Sequence, residues 1–254
     1  MRSREDPIGV FDSGVGGISA LQAMVSLLPM ERFLYYGDIA HAPYGTKGTE
    51  EVIRLTRRVT DHLMAQGIKA LVIACNTATG AAAAVLRKEL TIPVIGMEPA
   101  LKPASEARKG GKILVLATPL TLKQEKFRNL MARFGEGAEP VPCDGLMDLV
   151  EREDAAGARR YLEALFTTHS LDGVDAVVLG CTHYVFLKKM IREMIPERVI
   201  LTEGSLGTAR QLRRVLEREG LLREAGQGGV VFESSGGSES LETMERWLAR
   251  ESLE

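Results

Sequence analysis

The sequence predicts an α/β fold of two similar lobes related by a pseudo-two-fold axis. Each lobe carries a mostly parallel sheet flanked by helices, and the active site lies in the cleft between them. Two observations predict this. Leu71-Val72-Ile73-Ala74-Cys75-Asn76-Thr77 and Val177-Val178-Leu179-Gly180-Cys181-Thr182-His183 are matching stretches, each an apolar run closed by a cysteine and then an amide or hydroxyl residue. Such runs are how strands buried on both faces of a parallel sheet read, which puts both cysteines at strand C-termini, where open α/β sheets place their chemistry. Secondly, the cysteines at 75 and 181 are 106 residues apart, and the same offset carries Asp12 onto Thr118 and the helix pattern before the first stretch onto the one before the second. Either cysteine alone would read as a packed core thiol; the repeat makes them halves of one site.

At 254 residues, 45% hydrophobic and 26% charged, the chain can bury a full core. Its 32 basic and 34 acidic residues leave a net charge of −2, which argues against nucleic acid as a partner. No stretch approaches the roughly 18 apolar residues of a membrane span. The charged start, Met1 to Asp6, leads straight into a strand pattern without an apolar signal region, so a cytoplasmic protein with reduced thiols is expected. The first lobe is expected to comprise residues 1–98 plus 206–254, and the second residues 99–205.

In chain order, residues 8–11 read as a strand. Asp12-Ser13-Gly14-Val15-Gly16-Gly17 follows as a strand-to-helix turn, equally readable as a tight turn or as an anion site made of free N–H groups. A helix over 18–28 leads to a strand over 32–36, and the loop His41 to Gly48, rich in Pro, Gly and Tyr, suits ligand binding. An amphipathic helix over 49–66 precedes the first cysteine strand, and an Ala-rich helix over 77–90 follows it. After a strand over 91–97, Pro99 and Pro103 mark a hinge or crossover. The second half reads as a strand over 112–117, a helix over 122–134, a link through Cys143, helices over 146–151 and 155–168, and the second cysteine strand. A helix over 185–194 and a strand over 198–201 complete the repeat near Ser205, and a helix over 206–218, a strand over 229–232 and a helix over 241–249 end the chain, returning to the first lobe.

Two cysteines facing one ligand from opposite sides suit inversion at a carbon bearing an acidic hydrogen. One thiolate removes the proton from one face while the other thiol delivers a proton to the opposite face. Asp12 for Cys75 and His183 for Cys181 are the ionisable neighbours that would adjust the thiols. The same four side chains are legitimate zinc ligands, so a metal site is an alternative reading, and a two-lobed binding protein without chemistry is another.

Asp12-Ser13-Gly14-Val15-Gly16-Gly17, Tyr36-Gly37-Asp38, Pro43-Tyr44-Gly45, Cys75-Asn76-Thr77-Ala78, Glu98-Pro99 and Gly180-Cys181-Thr182-His183-Tyr184 together resemble the glutamate racemase family, with similarity from Ile8 to about Leu216. The resemblance implies interconversion of L- and D-glutamate for peptidoglycan, with no cofactor and no metal. It implies that Cys75 acts on D-glutamate and Cys181 on L-glutamate, assisted by Asp12 and His183. Ser13, Tyr44, Gly45, Asn76, Thr77, Thr118, Thr121 and Thr182 would hold the substrate, and hydroxyls and amides can bind carboxylates without placing a cation beside a thiolate. Glu151 falls where the family often has an acid at the cleft edge, and Cys143 reads as structural. Val185, Asp144 and Gln124 depart from the family pattern. An aspartate racemase is the nearest rival. Glutamate is the expected partner, and the C-terminal helices could serve a homodimer.

Overall fold

The computed structural model describes residues 2–249; Met1 and residues 250–254, the outer ends of the expected first lobe, lie outside the described residues. The strands are β1 (Ile8–Asp12), β2 (Arg32–Gly37), β3 (Ala70–Ile73), β4 (Val94–Gly96), β5 (Lys112–Ala117), β6 (Ala138–Pro142), β7 (Val174–Leu179), β8 (Ile200–Glu203) and β9 (Gly229–Ser234). They form two sheets, ordered β4-β3-β1-β2-β9 and β6-β5-β7-β8. Every pairing is parallel. Sliding β1 to β4 along by 106 residues brings each within two residues of β5 to β8, and the spatial order is the same in both sheets. The offset also preserves register: Ile8 pairs with Phe33 and Leu114 with Glu139. The α/β two-lobed architecture is therefore present, with strand C-termini of both sheets meeting at the cleft.

β1 and β3 are buried along their whole length, as the uninterrupted apolar runs require. One apolar core is shared by the lobes, running from Ile8, Val10 and Val72 to Leu114, Val177 and Leu179. A second lies under the helices Thr49–Ala65 and Asn76–Glu89, and a third on the outer face of the second sheet. β9 pairs with β2 in the first sheet. Among the described residues no helix is long and apolar enough to cross a membrane.

Several elements differ from expectation. Part of the expected link through Cys143 is β6, an edge strand that tolerates Pro140 and Pro142, since only alternate N–H groups face β5. Pro103, expected in a hinge, is the third residue of the helix Leu101–Ala107, where its missing N–H would have had no intrahelical partner. The helix expected over 122–134 is two, Pro119–Lys123 and Glu125–Phe134, broken at Gln124. The chain after Cys181 first makes a 3-10 turn, Thr182–Leu187, before the helix Lys188–Met194. The strand expected over 198–201 is shifted to β8.

Candidate active site

Both cysteines sit where the sheet ends and the chain turns. Cys75 follows β3 and is the N-cap of the helix Asn76–Glu89, so the Ala78 N–H donates to its Sγ at 3.4 Å and the positive end of the helix faces the sulfur. Ser13 Oγ lies 3.5 Å from the same sulfur. Cys181 follows β7, and its Sγ is 3.7 Å from Nδ1 of His183, whose Nε2 is 2.9 Å from Oε1 of Glu151. Each lobe thus supplies one thiol with its own polar company.

The electrostatics differ between the halves. Burial pushes the Cys75 thiol up to about 12, and the charge of Asp12 adds to the effect against the Ala78 and Ser13 hydrogen bonds. Burial also raises the Asp12 carboxyl above its ordinary value, although His183 and the Gly14 and Gly17 amides pull the other way. On the other side, burial works against a charge on His183, yet its bonds to Cys181 and Glu151 win and hold the imidazole well above its ordinary range. Glu151 is held below the ordinary carboxylate range: burial pushes it up, but His183 and the Val15 N–H outweigh that. The result is a protonated thiol beside a carboxyl in one lobe and a sulfur beside a cationic imidazole in the other.

The glycine turn Gly14-Val15-Gly16-Gly17 makes this proximity possible. A Cβ at Gly14 would stand 2.5 Å from Glu151 Oε1; one at Gly16 would stand 2.6 Å from Thr182 Oγ1 and overlap the His183 ring. The turn therefore serves as a bare surface against which the second lobe lays its histidine. Amides of the turn already serve carboxylates of the protein: Asp12 Oδ2 accepts from the Gly14 N–H at 3.0 Å, and the Val15 N–H bonds Glu151. Gly16→Ala is expected to displace His183 from Cys181 and to lower kcat by at least about tenfold with the fold retained, readable by steady-state kinetics beside a thermal melt.

Several of the remaining expected residues lie where segments of the two lobes meet. The Thr77 hydroxyl lies 3.1 Å from that of Thr118 and 3.0 Å from that of Thr121, joining the lobes, and a Cβ on Gly45 would stand 2.9 Å from Thr118 Cβ. The Thr182 carbonyl accepts from Ser19 of the first lobe. Asp12 Oδ1 and both polar atoms of the Asn76 side chain are buried without a protein partner, a cost that a bound polar ligand would remove. Tyr44 does not offer its hydroxyl hydrogen to the cleft: it donates to Asp38 at 2.6 Å, so the loop presents its backbone. Cys143 is buried, its Sγ 3.5 Å from the Val141 carbonyl, outside the thiol pair.

Two supporting residues carried no role in the sequence reading. Buried Asp38 accepts from Tyr44 and from Arg58 at 2.9 Å and lies 2.9 Å from His41 Nδ1, which anchors the 41–48 loop. Tyr35 donates to the Gly14 carbonyl at 3.0 Å beneath the glycine turn. The signal for Asp38 was its place after β2 at the same sheet end as Asp12. Among the described residues no three His, Cys, Asp or Glu side chains are grouped to hold a metal ion.

Residues 8–203 match the model of the Asp/Glu/Hydantoin racemase family. The chain belongs to this family. A glutamate racemase of Clostridium botulinum (strain Okra / Type B1) is 49% identical over 235 residues, 91% of each chain. The structure of a glutamate racemase isoform from Bacillus anthracis superposes with a TM-score of 0.86 at 32% identity, covering 96% of this chain and 94% of that one. Escherichia coli glutamate racemase, solved with L-glutamate and the activator UDP-MurNAc-Ala, gives a TM-score of 0.82 at 27% identity over 95% of each chain. This racemase is accordingly an isomerase.

The buried thiols of this racemase are expected to contribute to its stability at alkaline pH, alongside buried tyrosines raised in the same way. Cys75 and Cys143 are both pushed up to about 12 by burial from an ordinary 9.0. Between those values the unfolded chain has released protons that the folded one keeps, so stability falls as pH rises. His183, raised in the fold, acts with the same sign. Melting temperatures are expected to decline above pH 9.0, and Cys143→Ala is expected to make that decline shallower; an unchanged slope would contradict the assignment.

Proposed function

We propose that the chain interconverts L- and D-glutamate without a cofactor, Cys75 and Cys181 exchanging roles as base and acid. The observation that carries this reading is the pair of buried sulfurs, one per lobe, each with a different ionisable partner. With L-glutamate bound, a Cys181 thiolate stabilised by the His183 imidazolium removes the α-proton, and the Cys75 thiol, kept protonated by burial, delivers a proton to the opposite face. Atoms balance, because one sulfur gains the proton the other has lost. In reverse Cys75 must ionise, and the raised Asp12 carboxyl is the group beside it that can take up its proton. Ser13, Asn76, Thr77, Thr118, Thr121, Thr182 and the Tyr44–Gly45 backbone hold the ammonium and two carboxylates, with Glu151 orienting His183.

In this reading residues 1–98 with 206–254, as far as they are described, form one lobe and residues 99–205 the other, with the two chain crossings between them as the hinge. The cellular role is supply of D-glutamate for peptidoglycan, and hence for cell-wall biogenesis and shape, in the cytoplasm; the muramyl nucleotide that activates the Escherichia coli relative supports it. A homodimer through the C-terminal helices belongs to the same proposal and is testable by sedimentation. The deciding experiment is incubation with L-glutamate in D2O without added cofactor, with aspartate alongside. D-glutamate carrying deuterium at the α-carbon is expected; optical rotation that never decays would sink the proposal.

A further inference from the structure

Gln124 occupies the break between the helices Pro119–Lys123 and Glu125–Phe134, with extended backbone at φ −71°, ψ 146°. Its side chain is buried and reaches out of the second lobe. Nε2 donates to the Thr77 carbonyl at 2.9 Å, and the amide lies so close over Gly80 that a Cβ there would overlap it. Thr77 is the second residue of the helix that Cys75 caps, and its hydroxyl meets Thr118 and Thr121. Next to it stands Asn76, with its side-chain polar atoms unpartnered. One second-lobe amide therefore fastens the turn bearing Cys75, Asn76 and Thr77 to the turn bearing Thr118 and Thr121. Two residues on, Lys126 pairs with Glu98 at 2.8 Å and closes the same seam at the expected hinge.

We propose that Gln124 is a positioning residue for substrate, setting the separation between the Asn76–Thr77 wall and the Thr118–Thr121 wall that grip a glutamate carboxylate. The proposal rests on the reading of the cleft as a glutamate site. The residue type matters. Only a donor can face the Thr77 carbonyl, so a glutamate carboxylate in its place would repel it, and alanine would reach neither Thr77 nor Gly80. A carboxylate grip that is the same before and during proton transfer lowers KM without raising kcat, so its loss appears in KM.

The test is kinetics of wild type, Gln124→Ala, Gly80→Ala and the double variant with L- and D-glutamate. For Gln124→Ala, KM is expected to rise about tenfold for both enantiomers with kcat within about threefold of wild type. Gly80→Ala should do the same by pushing the amide aside, although alanine is the better helix former and leaves the helix at least as stable. In the double variant the second change should add little, because both act through one contact. Unchanged KM values accompanied only by a lower melting temperature, or fully additive defects, would overturn the proposal. Should Gln124→Ala not fold, Gly80→Ala decides alone. Wild type that fails to racemise glutamate sinks this inference together with the functional reading; wild type that racemises beside variants of unchanged KM sinks this inference only.

Discussion

Cys181→Ser and Cys75→Ser are each expected to lower racemisation by at least about 10³-fold, with circular dichroism and melting unchanged. Serine is nearly isosteric, so the buried sites should still pack, but a hydroxyl is far less acidic than a thiol and cannot serve as the base. The loss should be as deep for either variant, because inversion needs a proton acceptor on one face and a donor on the other. A single remaining thiol can act on one face only. Residual activity above about a tenth of wild type in either variant would refute the two-base scheme. Chiral chromatography of the products, rather than loss of substrate, is the measurement that separates inversion from any other reaction.

The next largest effect is expected from His183→Asn, a fall of about 10²-fold in kcat for the L-to-D direction. Its imidazole stands 3.7 Å from the Cys181 sulfur and is held charged by Cys181 and Glu151 despite complete burial. Asparagine keeps a polar group there but supplies no cation to stabilise a thiolate. Raising the pH should recover part of the loss, since hydroxide then does what the imidazolium did. Glu151 acts through His183, at 2.9 Å, so Glu151→Gln in the His183→Asn background should cost little more. A kcat within threefold of wild type across neutral pH would remove His183 from the mechanism.

What was legible in the sequence follows a physical rule. Strands buried on both faces read as plain apolar runs, so β1, β3, β5 and β7 and the cysteines at or near their ends stood out. β6, on a sheet edge and carrying two prolines, did not, because its pairing with β5 needs only alternate amides. The break at Gln124 was hidden for a different reason: the local pattern continues as a helix, and the side chain's partners, Thr77 and Gly80, come from the other lobe. Tyr44 was expected to offer a hydroxyl, but which way a ring points is set by tertiary contacts, here Asp38. Glu151 reaches His183 only because the facing turn is glycine, a relation between segments more than 130 residues apart.

The 106-residue repeat has one more consequence. It carries Asn76 onto Thr182, Thr77 onto His183 and Asp12 onto Thr118, so the two halves share a skeleton while their chemistry has exchanged places: the first lobe keeps its acid at the opening strand, the second keeps its imidazole after the cysteine. The equilibrium constant of a racemisation is unity, which obliges kcat/KM to be equal in the two directions whatever the protein does. It places no such bond on kcat or KM taken singly. Two halves that share a skeleton but not their ionisable partners are thus free to hold and turn over the two enantiomers differently without moving the balance between them.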